Sequence, residues 1–261
     1  MANQRSKVFN DTAELYDQVR PGYPDELVEA VIRMSGIPEG GDILEIGCGT
    51  GQATRSFAKR GYQMTCLEAG DRLAELAAVN FKGNAGVRVV KAHFEEWPLP
   101  AQGFDLVLAA TSFHHLEPGI RFEKCAQALK PGGGLAIFFN APGEGDPSFR
   151  AGLDSAYRAH AAELASDFKS ATLEKRADPS SLNQEAGPCF EPFQVRRFPW
   201  QAAYGTEDYL GLLNTYSDHA MLDEKRRQGL HAAIRKVCED RGGRVPVAYV
   251  AVLFIAKRRL G

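Results

Sequence analysis

The chain has 261 residues, of which 44% are hydrophobic, 10% aromatic and 25% charged. That is enough apolar material for a real core, which excludes wholesale disorder. Its 31 Lys and Arg against 33 Asp and Glu leave a formal net charge of -2, a balance with no electrostatic footprint for nucleic acid or an anionic membrane.

Residues 1–10 are polar and lack the apolar region of a signal peptide. The longest apolar stretch, 245–256, contains Pro246 and is too short to span a bilayer. The expected setting is therefore cytoplasmic. Five scattered cysteines (Cys48, Cys66, Cys125, Cys189 and Cys238) form no C-x-x-C pair, which argues against a zinc ribbon or thioredoxin-like chemistry. Reduced, mostly buried thiols are expected.

Short apolar runs at 43–46, 64–67, 87–90, 104–110 and 135–139 alternate with helical spacing over 53–60, 71–81 and 122–129. Runs without polar alternation predict strands covered on both faces, as in a parallel, doubly wound sheet. Past Asn140 a loop at 142–147 leads into a helical stretch over 148–174, and a second breaker region spans 178–192. A strand at 194–200, helices at 207–215 and 222–241 and a strand at 247–256 follow, closed by Lys257, Arg258 and Arg259. The domain reading is a core over 25–141, with single core strands at 194–203 and 244–261. Insertions at 142–193 and 204–243 form a helical cap, and 1–24 is an amino-terminal segment. Long connections of this kind carry lids and specificity.

The strongest local signal is the run from Ile43 to Gln52, in which a strand enters a turn with Gly47, Gly49 and Gly51. Glycines there let the backbone turn sharply and approach a ligand. The spacing is G-x-G-x-G, and Gln52 stands where a dinucleotide fingerprint needs its third glycine. Glu68 follows the next strand, about 17 residues on, where an acid can accept both hydroxyls of a ribose. A helix cap or a solvated carboxylate is the plainer alternative. His93 and Phe94 sit past the third strand on the same sheet edge. Phe94 can cover an adenine face and His93 bond its amino edge, although packing and solvation explain each equally well.

These residues resemble the class I S-adenosylmethionine-dependent methyltransferases, in particular bacterial small-molecule-type members of unassigned substrate. The resemblance runs through Tyr16-Asp17-Gln18-Val19-Arg20-Pro21-Gly22-Tyr23-Pro24, the glycine loop, Glu68, Phe94-Glu95-Glu96-Trp97, Phe104-Asp105-Leu106-Val107, Phe113-His114 and Lys130-Pro131-Gly132-Gly133-Gly134. It implies an α/β, Rossmann-like, doubly wound seven-stranded mixed sheet with a helical cap. It also implies S-adenosyl-L-methionine as cofactor, S-adenosyl-L-homocysteine as product, and a monomer or homodimer. By the same resemblance Gly47, Gly49 and Gly51 flank the methionyl part, Cys48 and Gln52 beside them also bind the cofactor, Glu68 holds the ribose, and Ala69, His93 and Phe94 line the adenine pocket. Thr111 faces the sulfonium, while Tyr16 and Arg20, from a lid at 1–24, fold over the cofactor. His93 departs from the family, which often has Asp, Ser or Thr there, and His115 stands where relatives commonly have Trp.

Methyl transfer requires an aligned nucleophile and exclusion of water, with a base only where the nucleophile must lose a proton. His115, then His114, are the candidate bases after the fourth strand. A hydrogen-bonded histidine without catalytic work remains the alternative. Adjacent histidines raise the question of a metal, but no acid cluster with ligand spacing accompanies them, and none is expected. Tyr204, Tyr209, Tyr216 and His219 read as an aromatic lining of the cap or, for most, a packed helical face. Arg196, Arg197 and the tail 257–259 read as solvated charges, and Trp97 and Trp200 as core or interface anchors. The fourth-strand loop has neither the Pro-Pro-Tyr motif of base and glutamine methylation nor a Pro-Cys pair. The expected activity is thus methyl transfer to an O, N or C atom of a small molecule, without nucleic acid or membrane. A macromolecular acceptor (protein or RNA) and binding without turnover are the alternatives. Gln52 weighs against a nicotinamide oxidoreductase.

Overall fold

The structure is a computed structural model that describes residues 13–100, 103–165 and 173–260. Helix α1 (Ala13–Val19) and helix α2 (Asp25–Ser35) precede the first strand. The sequence reading did not anticipate α2. It buries Leu27, Val28, Ala30 and Val31 at helical spacing and carries Asp25 and Glu26 in its first turn, where the partial positive charge of a helix end favours carboxylates. Gly36 ends it at φ 62, donating its N–H to the Ile32 carbonyl at 3.0 Å.

Next come β1 (Asp42–Ile46), α3 (Thr54–Ala58), β2 (Gln63–Glu68), α4 (Asp71–Asn80), β3 (Val87–Lys91), β4 (Phe104–Ala110) and α5 (Arg121–Ala128), at or within a few residues of the predicted positions. Strand β5 (Leu129–Pro142) starts earlier than its apolar run. Leu129 pairs with Phe104, and the register shifts before Leu106 meets Gly134. Pairing on either side of that shift thus carries the strand past Gly132 and Gly133, which disfavour it locally.

Helix α6 (Pro147–His160) is followed by α7 (Ala162–Ala165) and α8 (Leu173–Arg176). The predicted single stretch breaks at Ala161, whose φ of -152 is not helical. The region read as a breaker contains α9 (Ser180–Ala186), preceded by a turn in which the Asp178 carboxylate accepts the Ser180 N–H at 3.0 Å. Strand β6 (Gln194–Gly205), α10 (Thr206–Asn214), α11 (Ser217–Ala220), α12 (Glu224–Glu239) and β7 (Arg244–Lys257) complete the chain.

The seven strands form one sheet in the order β3-β2-β1-β4-β5-β7-β6. β1 pairs in parallel with β2 and β4, β2 with β3, and β4 with β5. Ile43, Leu44, Leu106, Val107, Leu108 and Ala109 are all 0% exposed, which is why their apolar runs do not alternate. The chain leaves β1 toward β2 and later returns on its other side as β4. The carboxyl ends of β1 to β4 therefore open on one edge at a topological switch point, where α/β sheets bind ligands.

Two compact units divide the chain. One comprises 22–140, 177–198 and 251–261, and the other comprises 141–176, 199–250 and the amino-terminal residues through Pro21. In the first, the basic tail is tied down rather than solvated, correcting the sequence reading. Lys257 donates to the carbonyls of Gly132 at 3.2 Å and of Ser35, Arg258 to that of Leu129, and Arg259 to that of Phe190 at 2.8 Å. Lys130 reaches Asp105 at 2.8 Å and Asp42 at 3.3 Å, joining the amino ends of β4 and β1.

The second unit is built on Phe149, Leu153 and Tyr157 of α6, Leu212 and Leu213 of α10, and Leu230, Ile234 and Cys238 of α12. Gly152 permits the close approach of α6 and α12, since a Cβ there would lie 2.9 Å from a methyl of Val237. Tyr204, Tyr209 and His219 belong to this packed core, and Trp200 stacks on Tyr249 at 5.2 Å. Among the described residues no helix is long and apolar enough to cross a membrane.

Candidate active site

The glycine loop leaves β1 with Gly47, Gly49 and Gly51 at φ 67, 59 and 101, backbone conformations that side chains rarely adopt. Space forbids a side chain as well. A Cβ on Gly47 would lie 2.6 Å from that of Ser112, and one on Gly51 would lie 2.3 Å from the Phe81 ring. The N–H groups of Gly47 and Cys48 donate to the Leu67 carbonyl at 2.8 and 3.0 Å, and Gln52 donates to the Thr50 hydroxyl at 2.7 Å. Contact with Cys66, together with burial, holds the Cys48 thiol well above its usual range.

Glu68 ends β2 and is 9% exposed. Its Oε2 accepts the Gly49 N–H and its Oε1 the Gly70 N–H, both at 2.8 Å. Burial pushes this carboxyl up, opposed by the backbone N–H groups of Gly70, Gly49 and Ala69 and by His93. Directly beyond it lies a cleft of about 440 Å³ lined by Ala69, Asp71, Lys91, His93, Glu96 and Trp97 among others. Phe94 is packed in the core, 3% exposed, with the Lys124 ammonium 5.5 Å from its ring. The aromatic group on the cleft wall is Trp97, which the sequence reading had taken as a core or interface anchor.

At the carboxyl end of β4, Thr111 has a φ of 61, the one positive value at a described non-glycine residue. Its N–H donates to the Phe138 carbonyl at 2.8 Å, and the next hydroxyl, that of Ser112, donates to the Ile46 carbonyl. A 3-10 turn, Phe113–His115, presents His114 and His115 to solvent with their rings 3.9 Å apart. Buried Phe113 anchors the turn, and Arg121 fixes it. The guanidinium donates to the Phe113 carbonyl at 3.1 Å and grips both carboxylate oxygens of Glu185, with the Nε bond at 2.7 Å. A forked pair of this kind is among the stronger charge-assisted contacts. Nothing in the sequence announced it, because its partners lie 64 positions apart.

Sequence reasoning also missed Glu45. It is 0% exposed near the carboxyl end of β1, accepting the Thr54 hydroxyl at 2.5 Å, while its Oε1 has no partner. Burial pushes its carboxyl up to about 8. An acid inside the apolar run 43–46 was the available signal. Tyr16 and Arg20 belong to the other unit. There Arg20 donates to the Thr215 hydroxyl at 2.8 Å and its carbonyl at 2.9 Å, with the Tyr16 and Tyr216 rings 5.0 and 4.5 Å away. The glycine loop, Glu68, Ala69, His93, Thr111, His114 and His115 thus share one sheet edge of one unit.

A seven-stranded α/β sheet with a glycine loop after β1 and an acid after β2 defines a nucleotide-cofactor-binding class of enzyme. Comparison with known proteins narrows it. Residues 43–133 match the family described as a methyltransferase domain. YdaC, an uncharacterized methyltransferase of Bacillus subtilis, is 30% identical over 148 residues, 55% of this chain and 77% of that protein. An uncharacterized methyltransferase of Geobacillus kaustophilus is 26% identical over 178 residues, 65% of this chain and 81% of the relative. Against the Mycobacterium tuberculosis relatives the match spans about half their length, 53%. The fold is shared with a candidate type II methyltransferase of Anaeromyxobacter dehalogenans, at a TM-score of 0.64 and 20% identity over 92% of this chain and 97% of that one. It is also shared with Haemonchus contortus phosphoethanolamine N-methyltransferase 2 in complex with S-adenosyl-L-methionine, at 0.56 and 17%, over 96% of this chain and 57% of that one. The chain belongs to the class I S-adenosylmethionine-dependent methyltransferases. Its methyl donor is S-adenosylmethionine.

Proposed function

We propose that the protein transfers a methyl group from S-adenosylmethionine to a small-molecule acceptor at the carboxyl edge of β1 to β4. The observation that carries this reading is the Glu68 carboxylate. One oxygen takes the N–H of Gly49 in the glycine loop and the other that of Gly70 just past β2, and a carboxylate so held keeps acceptor capacity for two neighbouring ribose hydroxyls. The donor fits the other residues as well. The loop, turned by three glycines at positive φ, would hold its methionyl part, and the cleft with His93 and Trp97 its adenine. When bound, the cofactor supplies an activated methyl group on a cationic sulfur.

The chain's own work is alignment and exclusion of water. His115, on the turn fixed by Arg121, takes the proton of an acceptor that carries one, and His114 braces its ring. Support for a small acceptor comes from the even charge of the chain and from the phosphoethanolamine enzyme with the same fold. The five free thiols support a cytoplasmic setting.

Titration calorimetry with S-adenosylmethionine, S-adenosylhomocysteine and NAD in parallel tests the cofactor site. Micromolar binding of the first two is expected, and binding of NAD alone overturns the reading. S-adenosylhomocysteine formation is then followed with panels of hydroxylated and amino small molecules, with protein and with RNA. Turnover confined to protein or RNA overturns the acceptor class.

A further inference from the structure

The left-handed conformation of Thr111 is a backbone cost without an obvious purpose. Threonine is β-branched, and a φ of 61 crowds its side chain against its own carbonyl in a way glycine or asparagine avoids. Such a conformation persists only where its surroundings over-determine it. Here they do. Its hydroxyl is hydrogen-bonded to Tyr23 Oη at 2.8 Å, and its N–H is held by the Phe138 carbonyl at 2.8 Å. The Tyr23 ring stands edge-on to Phe138, centroids 4.8 Å apart at 86°, and the preceding residue, Gly22, has its carbonyl held by Asn140 at 3.0 Å. Tyr23 is thus oriented independently of Thr111, and β5 supplies both anchors.

The turn that Thr111 imposes has a consequence one residue on. It directs Ser112 back onto the glycine loop, where its hydroxyl donates to the Ile46 carbonyl and its Cβ fills the space a side chain on Gly47 would need. We propose that Tyr23 is a positioning residue for the cofactor site: its hydroxyl holds Thr111 in the left-handed conformation, and Thr111 in turn seats Ser112 against Gly47. This rests on the glycine loop binding S-adenosylmethionine, as proposed above. The hydroxyls of Tyr23 and Thr111 act as a latch on the loop from the β4 side, opposite the Glu68 contact from β2.

A double-mutant cycle of Tyr23→Phe and Thr111→Gly tests this, read by calorimetric affinity for S-adenosylhomocysteine and by thermal midpoint. In the Thr111 background, Tyr23→Phe removes one hydrogen bond and is expected to weaken binding by about 5- to 10-fold. In the Thr111→Gly background the left-handed turn needs no latch, and Tyr23→Phe is expected to change affinity by less than about twofold. A merely structural Tyr23 lowers the midpoint equally in both backgrounds and leaves affinity alone, which overturns the proposal. So does a Tyr23→Phe loss of affinity that Thr111→Gly fails to suppress. If the unsubstituted protein does not bind S-adenosylhomocysteine, the cofactor reading falls and takes the positioning role with it. A coupled change in midpoint would then show only that the latch itself forms.

Discussion

Glu68 and Gly49, 19 positions apart, meet through a 2.8 Å hydrogen bond from the Gly49 N–H to the carboxylate. The acid that ends β2 therefore also pins the loop that ends β1. Two adjacent parallel strands, paired as far as Ile46 and Leu67, bring the two together. The proposed ribose contact and the loop anchor reside in one side chain.

Glu68→Ala removes both at once. Its affinity for S-adenosylhomocysteine is expected to fall by about 1–3 kcal/mol, the value of charge-assisted hydrogen bonds to a buried acceptor. Glu68→Gln keeps one acceptor oxygen and should lose less. Calorimetry on both variants decides this, and an unchanged affinity in the alanine variant would remove Glu68 from the site.

His115 should behave differently. With an accepted substrate in hand, His115→Ala is expected to lower the rate by about 100-fold or more, as loss of a general base does. Affinity for S-adenosylhomocysteine should stay within about twofold. Equal losses in rate and affinity would mean that the ring supports the fold of its turn and nothing else.

Glu45 predicts a pH dependence of stability. Its carboxyl is ordinary, near 4.5, when unfolded and is pushed up to about 8 by burial in the folded protein. Between those values the folded state keeps the proton that the unfolded state releases. Stability from this group is therefore fully present below 4.5 and declines as pH rises through 8, by about 1.4 kcal/mol per pH unit. Glu45→Gln cannot ionise and still faces Thr54. Urea unfolding at pH 5, 7 and 9 should find it gaining on the parent by a few kcal/mol at the alkaline end. Parallel stability curves would contradict this.

Arg20 carries a stability prediction as well as its expected cofactor role. Its guanidinium makes two bonds to Thr215, which is 0% exposed at the end of α10. Arg20→Lys cannot reproduce this fork and should cost about 1–3 kcal/mol by thermal or denaturant unfolding. If instead stability holds and only S-adenosylhomocysteine affinity falls, the residue belongs to the ligand and not to the packing.

Much of the first unit was legible because its signals are local. Apolar runs such as 43–46 and 104–110 read as buried parallel strands, since strands covered on both faces need no polar alternation. The glycines after β1 announced a turn that only they can make. Failures occurred where distant pairing overrode local preference. Gly132 and Gly133 lie inside β5 within the register shift between the Phe104–Leu129 and Leu106–Gly134 pairs, and Arg258 bonds a carbonyl 129 positions away. Lys130-Pro131-Gly132-Gly133, a mark of the family in the sequence, sits by the amino ends of β1 and β4 and serves the sheet, at the end opposite the glycine loop.

By itself the sequence determined the class of fold, the glycine loop, the acid after β2 and the family these define. Those features depend on backbone sterics and on hydrophobic periodicity, both properties of short segments. Tertiary structure alone decided which aromatic side chain meets the cleft, Trp97 and not Phe94. It likewise decided that Arg121 and Glu185 hold the histidine turn and that Tyr23 latches Thr111. Those contacts join residues up to 88 positions apart, and no local preference encodes a distance that only the closed sheet creates.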